Sequence, residues 1–465
     1  MHKKIKDFLD SEKIIKVLRL LLIVIIVAAI FSLVAINFID FQIVLALDLM
    51  IIALTAFVSF PIVGLYLMAF FYPFVSWQFV FGEFNVPYVD LVAVALLLSL
   101  IIKMFVRMIN ESKEFPQKIL KSFPGLIFAV LFFVACALSI INSDVFGTAF
   151  KYLFRPIIFF YLMFVVLPFN LIKNKQILKN VLHVMLVVGI LVSILGLLSV
   201  FFPQEAALNV PRAMPFSIAG FNPLGGNQNA VAEVLVISIP IAMILFLISE
   251  KIKKRGLYIL AIALMMIVLL LTFSRAGWLA LMVELLLLFF IKYRHKINRN
   301  VIIALVLMLI FIPLIMYFSV WSQLDWMESS NANRLLLTNI SWYSFLEHPI
   351  IGNGLDSFQR IVGQTFVYRV EFGDPLDSHG FIQKIATESG FLGVLTFVLL
   401  LCYVFYKNIF AYSHAKFLSH KLVALCFLML ASGIVVFELF STAYFLATTW
   451  LPLGISLAAA KLYAK

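Results

Sequence analysis

Apolar runs of about 17 or more residues recur from one end of this 465-residue chain to the other. As a helix, each run is long enough to cross roughly 30 Å of hydrocarbon. Inside hydrocarbon the backbone has to satisfy its own polar groups, which leaves helices or a closed barrel. A barrel would show segments of about ten residues with alternating polarity, and the sequence lacks them. Composition agrees, since 64% of the residues are hydrophobic and 12% are charged, about half the charged share of a soluble domain. The reading is an all-α polytopic membrane protein with about 12–14 transmembrane helices.

Fourteen spans fit the pattern, at roughly 17–36, 42–58, 61–80, 88–107, 123–141, 150–169, 180–202, 228–249, 257–273, 275–291, 301–320, 391–407, 422–441 and 444–460. The pair flanking Pro61 also reads as one long broken element, and the pair meeting at Ser274 is tight. The first run follows "MHKKIKDFLDSEKIIK" without a small-residue cleavage site after it, the pattern of an uncleaved signal anchor. Cys136, Cys402 and Cys426 all fall inside apolar runs and read as packing residues.

Lysine and arginine orient the chain. With the N-terminus inside, the cytoplasmic pieces are 1–19, 103–121, 170–179, 250–255, 292–299, 407–421 and 461–465, and they hold 27 of the 35 Lys and Arg. This follows the positive-inside rule. It predicts a multi-pass protein of the cytoplasmic (inner) membrane with both termini in the cytoplasm. The net charge of +12 then belongs to loops lying against anionic lipid and calls for no nucleic acid.

The longest hydrophilic piece, Trp321 to Gly390, falls on the opposite side. Long loops in compact proteins usually carry function. The expected organisation is a bundle over 1–320 of about eleven helices, a partly helical extracytoplasmic catalytic loop over 321–390, and final transmembrane helices over 391–465. No helix group repeats internally, which argues against transporters built from inverted repeats.

Basic residues on the outer side need a reason. Lys151, Arg155, Arg212, Arg275, Arg334, Arg360, Arg369 and Lys384 lie there. Guanidinium binds phosphate oxygens in bidentate fashion, so several Arg at one leaflet suit a lipid-linked diphosphate. An interfacial anchor or an ion pair explains any single one as well. Of the histidines only His348 and His379 face out, and His348 sits in the turn-like "LEHPIIGNG". From Ser378, the spacing of Phe381, Ile382 and Ile385 predicts a short amphipathic helix, N-capped by Asp377 or Ser378 and ended by Gly390. His379, Gln383 and Thr387 would share its polar face. A neutral imidazole can accept a hydroxyl proton or orient the hydroxyl. No metal site is expected: there is no HExxH, and the two outward His have no cysteine partner. No cofactor is expected either. Asp374 to Asp377 reads as a Pro-led turn. Gly352-Asn353-Gly354 reads as a turn or as amides for a phosphate. Asp48, Glu284 and Glu438 are intramembrane acids, open to proton coupling or to polar packing.

"NRLLLTNISWYSFLEHPIIGNGLDSF" followed by "DSHGFIQKIATESGFLGVLTFVLLL" resembles the signature region of the O-antigen ligase and O-antigen polymerase superfamily. The pattern is carried by Arg334, Trp342, Pro349, Gly352, Gly354, His379, Glu388, Gly390 and Gly393. "FSRAGW" is similar to the family's Ser-Arg-Gly turn through Ser274 and Arg275, and "PRAMPFSIAGFNPLGGNQNAVAEVL" to its upstream loop through Arg212 and Asn229. Two departures stand out: Gly380 occupies the place of the family's usual Asn after the histidine, and the turn at 275 reads Arg-Ala-Gly. The resemblance implies a metal-independent, inverting glycosyltransferase. It would take a glycan from undecaprenyl diphosphate at the outer face of the inner membrane, in lipopolysaccharide or other envelope polysaccharide biosynthesis. The acceptor would be a lipid, glycan or protein hydroxyl. His379 would act as base, with Arg275 and Arg334 on the leaving diphosphate. Arg212, Arg155, Asn229, Gly352, Gly354 and Gln383 would contribute to substrate binding. The rival readings are a lipid-linked oligosaccharide flippase or other transporter, and a protein O-oligosaccharyltransferase.

Overall fold

The computed structural model describes residues 20, 23–29, 31–32, 41–81, 84–110, 120–202, 211–217, 222–293, 324–441 and 443–464. The expected span at 301–320 and half of that at 17–36 lie outside the described residues. Numbering from Phe41, the helices are α1 (Phe41–Ser59), α2 (Pro61–Phe71), α3 (Tyr88–Asn110), α4 (Leu126–Ser139), α5 (Phe146–Leu171), α6 (Lys175–Phe201), α7 (Gln228–Ile248), α8 (Ile252–Leu271), α9 (Arg275–Tyr293), α10 (Leu324–Glu347), α11 (Phe358–Gln364), α12 (Phe366–Phe372), α13 (Phe381–His414), α14 (Leu418–Glu438) and α15 (Ala447–Tyr463). Seven of the described helices are long and apolar enough to cross a membrane. The chain is an all-α polytopic membrane protein.

The sequence punctuates these helices. Asn174 caps α6 by accepting from the Ile177 amide at 2.9 Å, and Asn227 caps α7 by accepting from the Asn229 amide at 2.9 Å. Both satisfy donors that a helix start leaves open. The centre of the bundle is α7 and α14, which pack on each other and on their neighbours α6, α8, α9 and α13. Phe397 of α13 meets Trp450 of α15 edge-on at 5.9 Å, and Trp450 stacks on Phe160 of α5 at 4.5 Å. That column of rings fixes the last helices against the middle of the chain.

Two expectations need correction. The span expected at 61–80 is helical only to Phe71, and after irregular residues a two-stranded hairpin follows, β1 (Gln78–Phe81) antiparallel to β2 (Phe84–Pro87). Tyr72-Pro73 and the aromatic Phe74 and Trp77 end the helix, because proline disfavours helix in the residue before it. The break at Phe60 does separate two elements. Lys103 near the end of α3 donates to the Val58 carbonyl at 3.0 Å, whereas Ser76 donates to the Pro223 carbonyl at 3.3 Å. The chain therefore turns at Pro61 and comes back. The span expected at 391–407 is part of a helix running from Phe381 to His414, broken at Gly390.

Four of the pieces that the charge count groups together, 103–121, 170–179, 407–421 and 461–465, meet at one end of the bundle. Lys175 lies 2.9 Å from His420 and 4.7 Å from the Tyr463 ring centre, and Lys461 sits 4.8 Å over Phe169. Asn170 accepts from the Lys121 and Ser122 amides at 2.9 and 3.1 Å. The long segment with α10 to α12 lies elsewhere, and α10 packs on α13.

Candidate functional site

Two glycines lock the long segment onto the bundle. At Gly390 the chain takes φ 61°, ψ −161°, which interrupts α13 and is open essentially to glycine alone. The interruption frees carbonyls and amides, and the 348–354 turn takes them up. Asn353 and Gly354 donate to the Thr387 and Glu388 carbonyls at 2.9 and 3.0 Å, and Phe391 and Leu392 donate to the Pro349 and Ile350 carbonyls at 2.8 and 3.1 Å. The Asn353 side chain adds bonds to the Ser344 and Thr387 carbonyls at 2.8 and 3.0 Å, and Asn142 donates to the Gly352 carbonyl at 2.9 Å. The Gly352 amide donates to the His348 carbonyl at 2.9 Å. Both glycine amides that a phosphate would need are thus engaged within the chain.

The bracket holds α10 against α13. Gln383 donates to the Thr338 hydroxyl at 2.8 Å, and Ser341 shares a hydrogen bond with Thr387 at 2.9 Å. Gln383 and Thr387 therefore face α10. The helix begins only at Phe381, with extended backbone at Gly380 and no side-chain cap, so His379 precedes it. The expected caps have other partners: Asp377 pairs with Lys384 at 2.6 Å and accepts from the Ser378 amide at 2.8 Å, while Ser378 donates to the Gly380 carbonyl at 3.1 Å. Lys384 is nearly buried and also lies 4.0 Å from Glu388. A Cβ at Gly380 would stand 2.5 Å from the Leu439 carbonyl oxygen. The histidine's neighbour is pressed against the end of α14, which explains glycine there in place of asparagine.

Arg275, Arg334 and His379 come together. The tight turn before α9 is braced by Ser274, whose hydroxyl donates to Asn229 at 2.7 Å and accepts from the Gly277 amide at 3.2 Å. Phe273 takes φ 52°, rare for a bulky residue. Arg275 leaves this turn and donates to the Asn331 side chain on α10 at 3.0 Å. One turn along α10, Arg334 is half-buried, and its Nε has no partner among the described residues. Burial, and then the charge of Arg275, make its guanidinium easier to deprotonate than usual. Burial, and then the charge of Arg334, hold the His379 imidazole below its ordinary value, against a smaller opposing pull from Asp377. Among the described residues neither Arg275 nor Arg334 is paired with a carboxylate. Two like charges held side by side without a counter-ion favour an anion between them.

The remaining predicted residues have contacts of their own. Asn229 reaches the turn before Arg275 through Ser274. Arg212 lies in the irregular 211–217 segment, tied to the bundle by Ala213 donating to the Leu271 carbonyl at 2.8 Å and by Met214 donating to Ser199 at 2.8 Å. Arg155 stands where α5 widens to π-helical bonding over Arg155–Val166, a form frequent at functional sites. Its guanidinium is 4.0 Å from the buried Asp90. Sequence reasoning missed Asp90 and Asn331, and it gave the Asn353 side chain no role of its own. The run "NANR" placed an amide three residues before Arg334, and that was the available signal for Asn331. The half-buried Glu233, one turn after Asn229, also went unremarked. Of the intramembrane acids, Glu284 is fully buried in α9 against Gly433 of α14, and Glu438 accepts from Thr449 at 3.2 Å. Asp48 accepts from Ser32.

The family model described as O-antigen ligase matches residues 260–398. The matched stretch includes Arg275, Arg334, the glycine bracket and His379, and the match supports the resemblance to the O-antigen ligase and polymerase superfamily. Among solved structures, the chain is similar to one described as "Structural coordination of polymerization and crosslinking by a peptidoglycan synthase complex", at 16% identity and a TM-score of 0.39, over 72% of this chain and 97% of that one. No curated protein matches the sequence significantly.

Proposed function

We propose that this protein transfers a glycan from undecaprenyl diphosphate to an acceptor hydroxyl at the outer face of the cytoplasmic membrane, as a ligase or polymerase of surface polysaccharide. The observation that carries the reading is the convergence of two guanidiniums, without carboxylate partners among the described residues, with one half-buried imidazole. The chemistry needs these parts. As the sugar C1–O bond to the diphosphate breaks, its electron pair goes to the phosphate oxygen, and Arg275 and Arg334 neutralise the charge that develops. The acceptor oxygen bonds to C1 from the opposite face, and its proton passes to an imidazole nitrogen of His379. A depressed imidazole pKa keeps His379 neutral and ready to accept that proton. Arg212, Arg155 and Asn229 line the approach of the donor. The charge bias, with 27 of the 35 Lys and Arg on the predicted cytoplasmic pieces, supports the outer face.

The test is reconstitution in proteoliposomes with lipid-linked glycan and three acceptors: a lipid A core sugar, a second lipid-linked glycan and a protein hydroxyl. The acceptor that gains sugar assigns the activity, and chelator leaves it unchanged. Arg275→Ala and Arg334→Ala each lower transfer about 100-fold or more, and His379→Ala about 10²–10⁴-fold. Normal transfer by correctly inserted His379→Ala removes its role as base. Movement of the lipid-linked glycan across the bilayer without a new bond overturns the transfer reading in favour of a flippase.

A further inference from the structure

A cleft of about 710 Å³ opens between α10, α11 and the turn that holds Asn142 and Asp144. That size is ample for a small-molecule ligand. The cleft is not the cationic centre. At about 100° per residue, Arg334, Thr338 and Ser341 share the face of α10 turned to α13. Leu336, Asn339 and Tyr343, which line the cleft, fall about half a turn away.

Its chemistry differs from that of the centre. Asn142, Asn339 and Gln364 bring side-chain amides, each with a donor and an acceptor in one plane. Asp144 and Arg360 pair with each other at 2.5 Å across its edge, so the one cation there is neutralised. Tyr343 is 69% exposed, and it offers an aromatic face and a hydroxyl to the cleft. Adjacent hydroxyls match planar amides, and the C–H face of a sugar ring matches an aromatic ring. Glu347 also lines the cleft without an ion pair among the described residues, so an anion would be repelled, and an apolar ligand would leave the amides unsatisfied.

We infer that this cleft is a saccharide-binding site that grips part of a glycan chain away from its reacting end. The inference rests on the transfer reading for the source of the glycan. The probe is the host's lipid-linked glycan, released from its lipid by mild acid and labelled at the reducing end. Its binding to the full chain in nanodiscs is followed by fluorescence anisotropy. Tyr343→Ala and the pair Asn339→Ala with Gln364→Ala weaken binding about tenfold or more, Tyr343→Phe restores most of it, and Arg334→Ala stays within about twofold of the wild type. These positions are exposed, so the variants fold. The absence of saturable binding to the wild type, or cleft variants that bind as the wild type does, overturns the site. Transfer from the intact lipid-linked glycan is measured in parallel. Unchanged binding in the cleft variants alongside lost transfer in Arg334→Ala and His379→Ala defeats the cleft alone. Normal transfer in those two centre variants defeats the transfer reading, and anisotropy still decides the cleft.

Discussion

Replacing Gly390 by alanine tests whether the bracket holds the site together. The backbone there has φ 61°, ψ −161°, a region that costs a residue with a side chain of order 1–3 kcal/mol. The new Cβ would lie 2.5 Å from the Ile350 carbonyl oxygen and 2.6 Å from the Gly352 nitrogen. Since real Cβ atoms do not approach so closely, the 348–354 turn has to withdraw. Withdrawal breaks the bonds from Phe391 to Pro349 and from Leu392 to Ile350, at about 1 kcal/mol each. The sum is about 3–5 kcal/mol, equivalent to roughly a hundredfold to several-thousandfold in the population of the undocked turn. Hydrogen exchange reads this directly. The amides of Asn353, Gly354, Phe391 and Leu392 exchange at least about a hundredfold faster in Gly390→Ala. Gly147→Ala, whose Cβ meets no atom within 4 Å, leaves them unchanged. Transfer activity falls with the loss of protection. Unaltered exchange at those four amides in Gly390→Ala would refute the bracket.

Three further outcomes follow from the site. His379 lies below the ordinary imidazole value, so the neutral base persists to lower pH, and the acidic limb of kcat/KM falls below about 6.5. Arg334→Met removes a charge that opposes protonation, so that limb moves to higher pH as the plateau drops; a limb that stays in place disproves the coupling. Gly380→Asn, which supplies the residue usual in the family, lowers transfer here because its Cβ collides with the Leu439 carbonyl; full activity in that variant contradicts the packing described. Asn353→Ala strips two carbonyls of a donor and lowers stability by about 1–3 kcal/mol, read as a lowered thermal midpoint in detergent.

What could be read from the sequence followed from local physics. Apolar runs announced the helices because every span has to carry hydrocarbon-compatible side chains along its length. Arg275, Arg334 and His379 were legible because charge on the sparsely basic side demands a reason, and because the resemblance placed all three. Other features depended on contacts with no sequence period. Asn331 faces Arg275 from 56 residues away, and Asp90 receives Arg155 from another helix. The glycine pair at 352 and 354 suggested phosphate amides, yet only the fold reveals that the break at Gly390 claims one of those amides. Asp377 had the right residue type for a cap, but Lys384 four residues into the helix offered a charged partner and drew it away. The end of α2 at Phe71 was hidden because aromatic residues suit a span and a hairpin alike.

The contact of Gly380 with the Leu439 carbonyl bears on how the chain divides. The residue next to His379 packs on the end of α14, so the last helices form part of the wall of the candidate site and not a detachable anchor. A chain ending after His414 would keep both arginines and the histidine yet lose that wall, together with Trp450 from the ring column. Its activity would return only when 418–465 is supplied as a separate fragment that docks in place. By the same logic, grafting the 324–390 segment onto another bundle transfers Arg334 and His379 without Arg275 and without their backing.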